Sequence, residues 1–248
     1  MSLFETEALI LRTYNLAEAD KIVVCLSRSA GLIRGVAKNC RKLKNRFGAS
    51  LEPFTLINLT YFEKENQELV SFSQTEILKS RFNLTSDAAV MTGFSYMGDL
   101  LMDFSPPRQA NDNLYRMALA CFEAVAQVPA DLDWVLRYFE VWLLKLEGFL
   151  PDLRACANCQ NPFDREEPIY LGADLSVRCL RCSQARGRAI PRVVYQQMRA
   201  TEKLSPVKFA EEAREVPVAS RKELAQLTYQ VISRVLERMP RARPTFVQ

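Results

Sequence analysis

The chain has 248 residues, 48% of them hydrophobic and 25% charged, the balance of a globular protein with room for two small domains. It contains no histidine, which removes the usual general base, proton shuttle and commonest metal ligand together, so triad hydrolysis and histidine-dependent zinc hydrolysis are excluded and an enzyme is not expected. The net charge of +4 is uneven: residues 1–80 carry 11 basic and 9 acidic side chains, residues 81–155 carry 6 and 10, and residues 156–248 carry 16 and 10.

Two positive ends therefore flank an acidic middle, as suits contact with polyanions at particular faces. The opening MSLFETEALI has acids where a signal peptide needs bases. No uninterrupted apolar run reaches about 18 residues, so no membrane span is expected. Seven cysteines, an odd number, argue for a reducing compartment over a disulfide scaffold. The cytoplasm is the expected location.

Residues 1–80 read as a strand-rich domain. Glu7–Tyr14, Lys21–Ser27, Leu32–Ala37, Phe54–Phe62 and Leu69–Leu78 are short runs rich in β-branched and aromatic residues, with breaks at 15–20, 29–31 and 63–67. Five such strands suit a small closed barrel, an OB-fold first and an SH3-like barrel second. Between the third and fourth runs lies RGVAKNCRKLKNR, residues 34–46, inside a stretch without a carboxylate from Asp20 to Glu52. Its Arg34, Lys38, Arg41, Lys42, Lys44 and Arg46 are the candidate contacts to a nucleic-acid backbone, with Arg12 and Lys21 as further members of the positive face. A solvated loop that only keeps the protein soluble is the competing reading. Phe47, Phe54, Tyr61, Phe62 and Phe72 are candidates for stacking on bases or for filling the barrel.

From residue 81 the period changes to helical. Ser86 or Asp87 can cap a helix ending before Pro106-Pro107, and Asn111–Val128 and Asp131–Glu147 repeat apolar residues on one face, with Gly148 as C-cap. These helices read as scaffold, and Cys121 as a buried thiol. The sharpest local motif follows: Cys156-x₂-Cys159, nineteen residues, then Cys179-x₂-Cys182. Two thiolate pairs at this spacing favour a tetrahedral structural Zn2+ site with no open position for water, with a redox pair as the competing reading. A hairpin turning at Gly172-Ala-Asp sits between the pairs. Arg178, Arg181, Arg186, Arg188 and Arg192 then form an acid-free run that can face phosphate, an acidic peptide or solvent. Pro191 can open a helix reaching Leu204, and Ser220-Arg-Lys-Glu223 reads as a capping box opening the last helix. The tail from Arg241 to Val247 is expected to fray.

Six stretches carry a resemblance: Glu7-Ala-Leu-Ile-Leu-Arg12, Glu18-Ala-Asp-Lys-Ile-Val23, Gly31-Leu32, Val36-Ala-Lys38, the dense Arg46-Phe-Gly-Ala-Ser-Leu-Glu-Pro-Phe54, and Leu146-Glu-Gly-Phe-Leu-Pro151 leading to Cys156. Through them the chain resembles the RecO family of bacterial recombination mediators. The resemblance implies an α+β protein with an N-terminal five-stranded OB-fold β-barrel that binds DNA (1–80). A helical C-terminal domain (81–248) then holds a four-cysteine zinc knuckle at 156–182. It also implies binding to single- and double-stranded DNA, strand annealing, help in loading recombinase onto coated single strands, and association with the nucleoid. The implied protein partners are RecR and the acidic C-terminal tail of single-strand-binding protein. An RNA-binding module is the rival from another class, since OB-folds and zinc knuckles serve RNA as well.

Overall fold

The computed structural model describes residues 2–64, 67–150, 152–163 and 167–240. The expectations for the tail and for Pro151 lie outside these residues. Two compact units divide the chain at residues 119 and 120.

The first unit opens with five strands, β1 (Ser2–Leu16), β2 (Asp20–Ser27), β3 (Gly31–Ala37), β4 (Leu56–Glu63) and β5 (Val70–Lys79), closed in the order β1-β2-β3-β5-β4. Antiparallel pairing joins all neighbours except β3 and β5, which run parallel through only Gly35↔Val70 and Val36↔Ser71. That short crossover closure is the Greek-key order of an OB-fold, and it decides between the two barrels the sequence allowed. Alternation sets the faces. Val23, Cys25, Ile33, Ala37, Ile57, Leu59, Tyr61 and Phe72 point inward to form one core, and the residues between them point out.

Glycine is required at two points of this barrel. At Gly31, φ is +66° and an added Cβ would stand 2.1 Å from the carbonyl oxygen of Gln109. At Gly35 it would stand 2.2 Å from the ring of Phe72, which fills the space beside the β3–β5 seam.

Helix α1 (Ala88–Phe104) follows, capped by Asp87, whose carboxylate accepts from the N–H groups of Ala89 and Val90. Helix α2 (Asp112–Gln127) crosses the division between units. In the second unit, α3 (Leu132–Leu146) is buried nearly all round and packs against α6 (Pro206–Glu212) and α7 (Val218–Val235). Two of its aromatics bond through their polar tips: Tyr138 Oη donates to Leu204 O (3.1 Å) and Trp142 Nε1 to Thr201 O (2.9 Å). Between α3 and α6 come a three-stranded sheet of β6 (Ile169–Leu171), β7 (Val177–Cys179) and β8 (Arg188–Ile190), the short turn of helix α4 (Leu180–Ser183), and α5 (Arg192–Ala200).

Two late boundaries differ from expectation. The helix opened by Pro191 ends at Ala200, and Ser205 caps a separate helix, α6, through a hydrogen bond from Lys208 N–H (3.4 Å). Ser220 caps nothing: α7 starts at Val218 after Pro217, whose carbonyl already accepts from the N–H of Ser220 (2.9 Å). Pro217 stands as the N-cap residue (φ −55°, ψ 140°), so the helix has begun before the Ser-x-x-Glu pattern is reached.

Candidate nucleic-acid interface and metal centre

The segment joining β3 to β4 carries the cations and is anchored at both ends. Near its start Asn39 N–H donates to Asp20 Oδ1 (2.7 Å) and Arg41 N–H to Ala19 O (3.0 Å). Arg41 Nη1 reaches Ala17 O (3.2 Å), so the β3 end lies against the β1–β2 turn. Further along, Asn45 Oδ1 accepts from the N–H groups of Phe47 (2.9 Å) and Gly48 (2.8 Å). There Arg46 lies over the Phe47 ring at 5.0 Å and donates to Phe72 O (3.3 Å). Between these anchors Lys42, Leu43 and Lys44 form an exposed apex, with Leu43 fully open to solvent.

Among the described residues, no ion pair engages Arg34, Lys38, Arg41, Lys42, Lys44 or Arg46. Cations crowded on a tethered loop without ion-pair partners repel one another, and a polyanion relieves the repulsion at several positions at once. The remaining candidates fall elsewhere. Arg34 is exposed on the outer wall, across Val24 from Arg12 in the register. Arg12 itself is engaged, its guanidinium 2.6 Å from Asp99 of α1. Burial opposes its charge, but Tyr14 and Asp99 outweigh that and raise its pKa. Lys21 has the inward parity of Val23 and stands half-buried at the barrel mouth beside Cys40.

The aromatic candidates are mostly core. Phe47, Phe54, Tyr61 and Phe72 are each at most 3% exposed, so none can stack on a base, and only Phe62 keeps an open face. Lys64, directly after β4, is exposed on the same wall and is not among the cations singled out from the sequence. Its signal is parity: it lies two residues beyond Phe62.

In the second unit, the Sγ atoms of Cys156, Cys159, Cys179 and Cys182 all lie within 4.8 Å of one another. Sulfurs at 2.3 Å from a shared tetrahedral ion stand about 3.8 Å apart; the Cys159–Cys179 pair is at 4.0 Å, far beyond the roughly 2.05 Å of a disulfide. Cys179 closes β7 and Cys182 lies on α4, while Cys156 and Cys159 share a turn closed by Gln160 N–H to Cys156 O (2.9 Å). Although burial works against the thiolate, the backbone N–H groups of Cys159, Cys179 and Asn158 hold the Cys156 thiol down at about 6. Cys179 N–H stands 3.4 Å from that sulfur. The four residues fit a structural thiolate-bound divalent ion such as Zn2+, which would supply a cross-link and no open coordination position.

The arginine run beside this centre is largely occupied locally. Arg178 pairs with Asp174, Arg188 Nη1 donates to Gln230 Oε1 (2.8 Å), and Arg192 lies over the Tyr195 ring at 4.6 Å. Arg181 and Arg186 remain exposed.

Residues 1–81 match the family model described as Recombination protein O N terminal, and residues 85–244 match the one described as Recombination protein O C terminal. The chain belongs to the RecO family. It is 36% identical over 160 residues to the DNA repair protein RecO of Koribacter versatilis, covering 64% of this chain and 65% of that protein. It is 32% identical over 185 residues to the DNA repair protein RecO of Symbiobacterium thermophilum, covering 72% of each. The DNA repair protein RecO of Dehalococcoides mccartyi is 33% identical over 156 residues, which span 63% of this chain and 60% of that protein. RecO membership agrees with the closed five-stranded barrel, the helical second unit and the cysteine cluster. No helix among the described residues is long and apolar enough to cross a membrane.

Proposed function

We propose that this RecO-family chain is a non-enzymatic mediator of DNA repair and recombination, acting in the cytoplasm at the nucleoid. It binds single- and double-stranded DNA without reading sequence, anneals complementary strands and assists recombinase onto strands coated by single-strand-binding protein. RecR and the acidic tail of that coating protein are its partners. The observation that carries the reading is the tethered loop from Lys38 to Arg46 on an OB barrel, whose cations form no ion pair among the described residues.

Annealing needs most bases to stay free to pair, so the main share of the affinity has to come from phosphates. Lys38, Arg41, Lys42, Lys44 and Arg46 are the main contacts, with Arg34 on the adjoining wall. Arg12 drops out because its guanidinium is already engaged by the buried carboxylate of Asp99, 2.6 Å away. The barrel supplies rigidity, since both loop anchors are hydrogen bonds to its turns and strands. The metal-bound knuckle stiffens the second unit and takes no part in a chemical step.

Reversing Arg41, Lys42 and Lys44 to Glu together tests this. Binding to unrelated single strands and duplexes should collapse alike, and annealing with it. Unchanged affinity removes the loop from the mechanism, and a strong preference for matched RNA over DNA favours the RNA-binding alternative.

A further inference from the structure

On the outer wall of the barrel the registers align three side chains from three strands. Phe62 of β4 pairs with Ser71 of β5, and Ser71 with Val36 of β3. Their neighbours Tyr61, Val70, Phe72 and Ala37 belong to the core, so alternation turns Phe62, Ser71 and Val36 outward. The middle residue is small and its flanks are apolar, which leaves a cleft of about 640 Å³ lined also by Lys38, Lys64 and Leu69. Lys38 follows β3 and Lys64 follows β4. These strands run in opposite directions, so the two exposed cations stand at opposite ends of the cleft.

One guanidinium holds Gln67 and Glu68, which line the cleft. Arg108 pairs with Glu63 (2.6 Å) and donates to the carbonyls of Gln67 (2.7 Å) and Glu68 (3.1 Å). Glu68 adds an acid to the rim, which disfavours a purely anionic occupant and favours one with an apolar face and well-spaced charges. The volume is that of a small-ligand pocket, too small for a duplex.

We propose that the cleft takes one unstacked nucleobase of a single strand against the ring of Phe62, with the flanking phosphates on Lys38 and Lys64. This rests on the nucleic-acid reading of the basic loop, with which the cleft shares Lys38. A duplex keeps its bases stacked and offers only phosphates. The loop therefore binds both forms, while the cleft adds affinity for unpaired DNA alone. One captured base leaves the rest of the strand free to pair.

The test uses the full chain and three probes: an oligothymidylate, the same backbone with every base removed, and a duplex. Phe62→Ala should weaken oligothymidylate binding about tenfold while duplex binding stays within about twofold. It should also abolish the wild-type preference for oligothymidylate over the abasic strand. Phe62→Trp should restore affinity, and its fluorescence should be quenched by oligothymidylate and not by the abasic strand. If Phe62→Ala lowers the unfolding midpoint, Phe62→Trp quenching and the selective single-strand loss in Lys64→Gln carry the test. Equal losses on all probes, or an abasic strand bound as tightly as oligothymidylate by the wild type, overturn the cleft and leave the phosphate grip of the loop standing. A docked protein segment instead of a base would give this second result.

Discussion

Replacing Glu140 by Gln should destabilise the second unit by about 3–5 kcal/mol. The magnitude follows from burial. Arg137 and Glu140 are paired at 2.7 Å with side chains only 2% and 1% exposed, so neither charge is screened by water. Thr228 Oγ1 of α7 donates to the second carboxylate oxygen (2.5 Å), tying α7 to α3 through the same group. Removing the carboxylate leaves the interior Arg137 charge with only the more distant Asp133 carboxylate, 4.0 Å away. Both tryptophans of the chain, Trp134 and Trp142, lie on α3, so their fluorescence reports this unit directly. In urea, with a slope of about 2 kcal/mol/M, the midpoint should fall by roughly 1.5–2.5 M. The double replacement Arg137→Met with Glu140→Leu should recover most of that loss, because a packed apolar pair needs no compensation. Arg154→Ala, which breaks the exposed Arg154–Asp152 pair, should leave the midpoint where it is. A Glu140→Gln loss no larger than that of Arg154→Ala, or a double variant no better than the single, would refute the reasoning.

The remaining predictions are smaller in scope. The purified chain should hold a single equivalent of zinc, measured by elemental analysis, and Cys159→Ser with Cys182→Ser should release it; metal retained by that variant contradicts the four-sulfur site. Burial pushes the Cys25 thiol up from 9.0 to about 12, so the stability tied to its neutral form is complete below about pH 9 and is lost as pH rises from there to about 12. Cys25→Ala should flatten the fall of the unfolding midpoint across that window, and an unchanged slope contradicts the assignment. Gly35→Ala, whose methyl group would meet Phe72 at 2.2 Å, should cost about 1–3 kcal/mol in chemical unfolding. Gly98→Ala, in helix α1 with ordinary contacts to Phe54 (3.5 Å) and the Leu11 carbonyl (3.8 Å), should gain about 0.5–1 kcal/mol.

Signals that act within a few residues are legible in the sequence, and those that depend on distant partners are not. The five β-branched runs mark the strands, and the Cys-x₂-Cys spacing marks a cluster whose sulfurs do meet. Asp87 caps its helix as its position before an apolar period implies. Barrel order is not legible, because it turns on two residue pairs between β3 and β5. Arg12 reads as a free cation until folding brings it to Asp99, 87 residues away. Ser220 matches a capping pattern, but Pro217 starts the helix upstream, and the true cap at Ser205 lacks the acidic partner of that pattern. The basic loop is visible as charge. Its anchoring by Asp20, Ala17, Ala19 and Phe72 requires the fold.

The salt dependence of single-strand binding tests the central claim most directly. If Lys38, Arg41, Lys42, Lys44 and Arg46 each neutralise one phosphate, log affinity should fall with log salt at a slope of about −3.5. Changing Lys42 and Lys44 to Gln should reduce the slope to about −2 for every sequence tried. A slope unaltered by these two substitutions, or altered for some sequences and not others, would contradict a loop that grips phosphates and ignores bases.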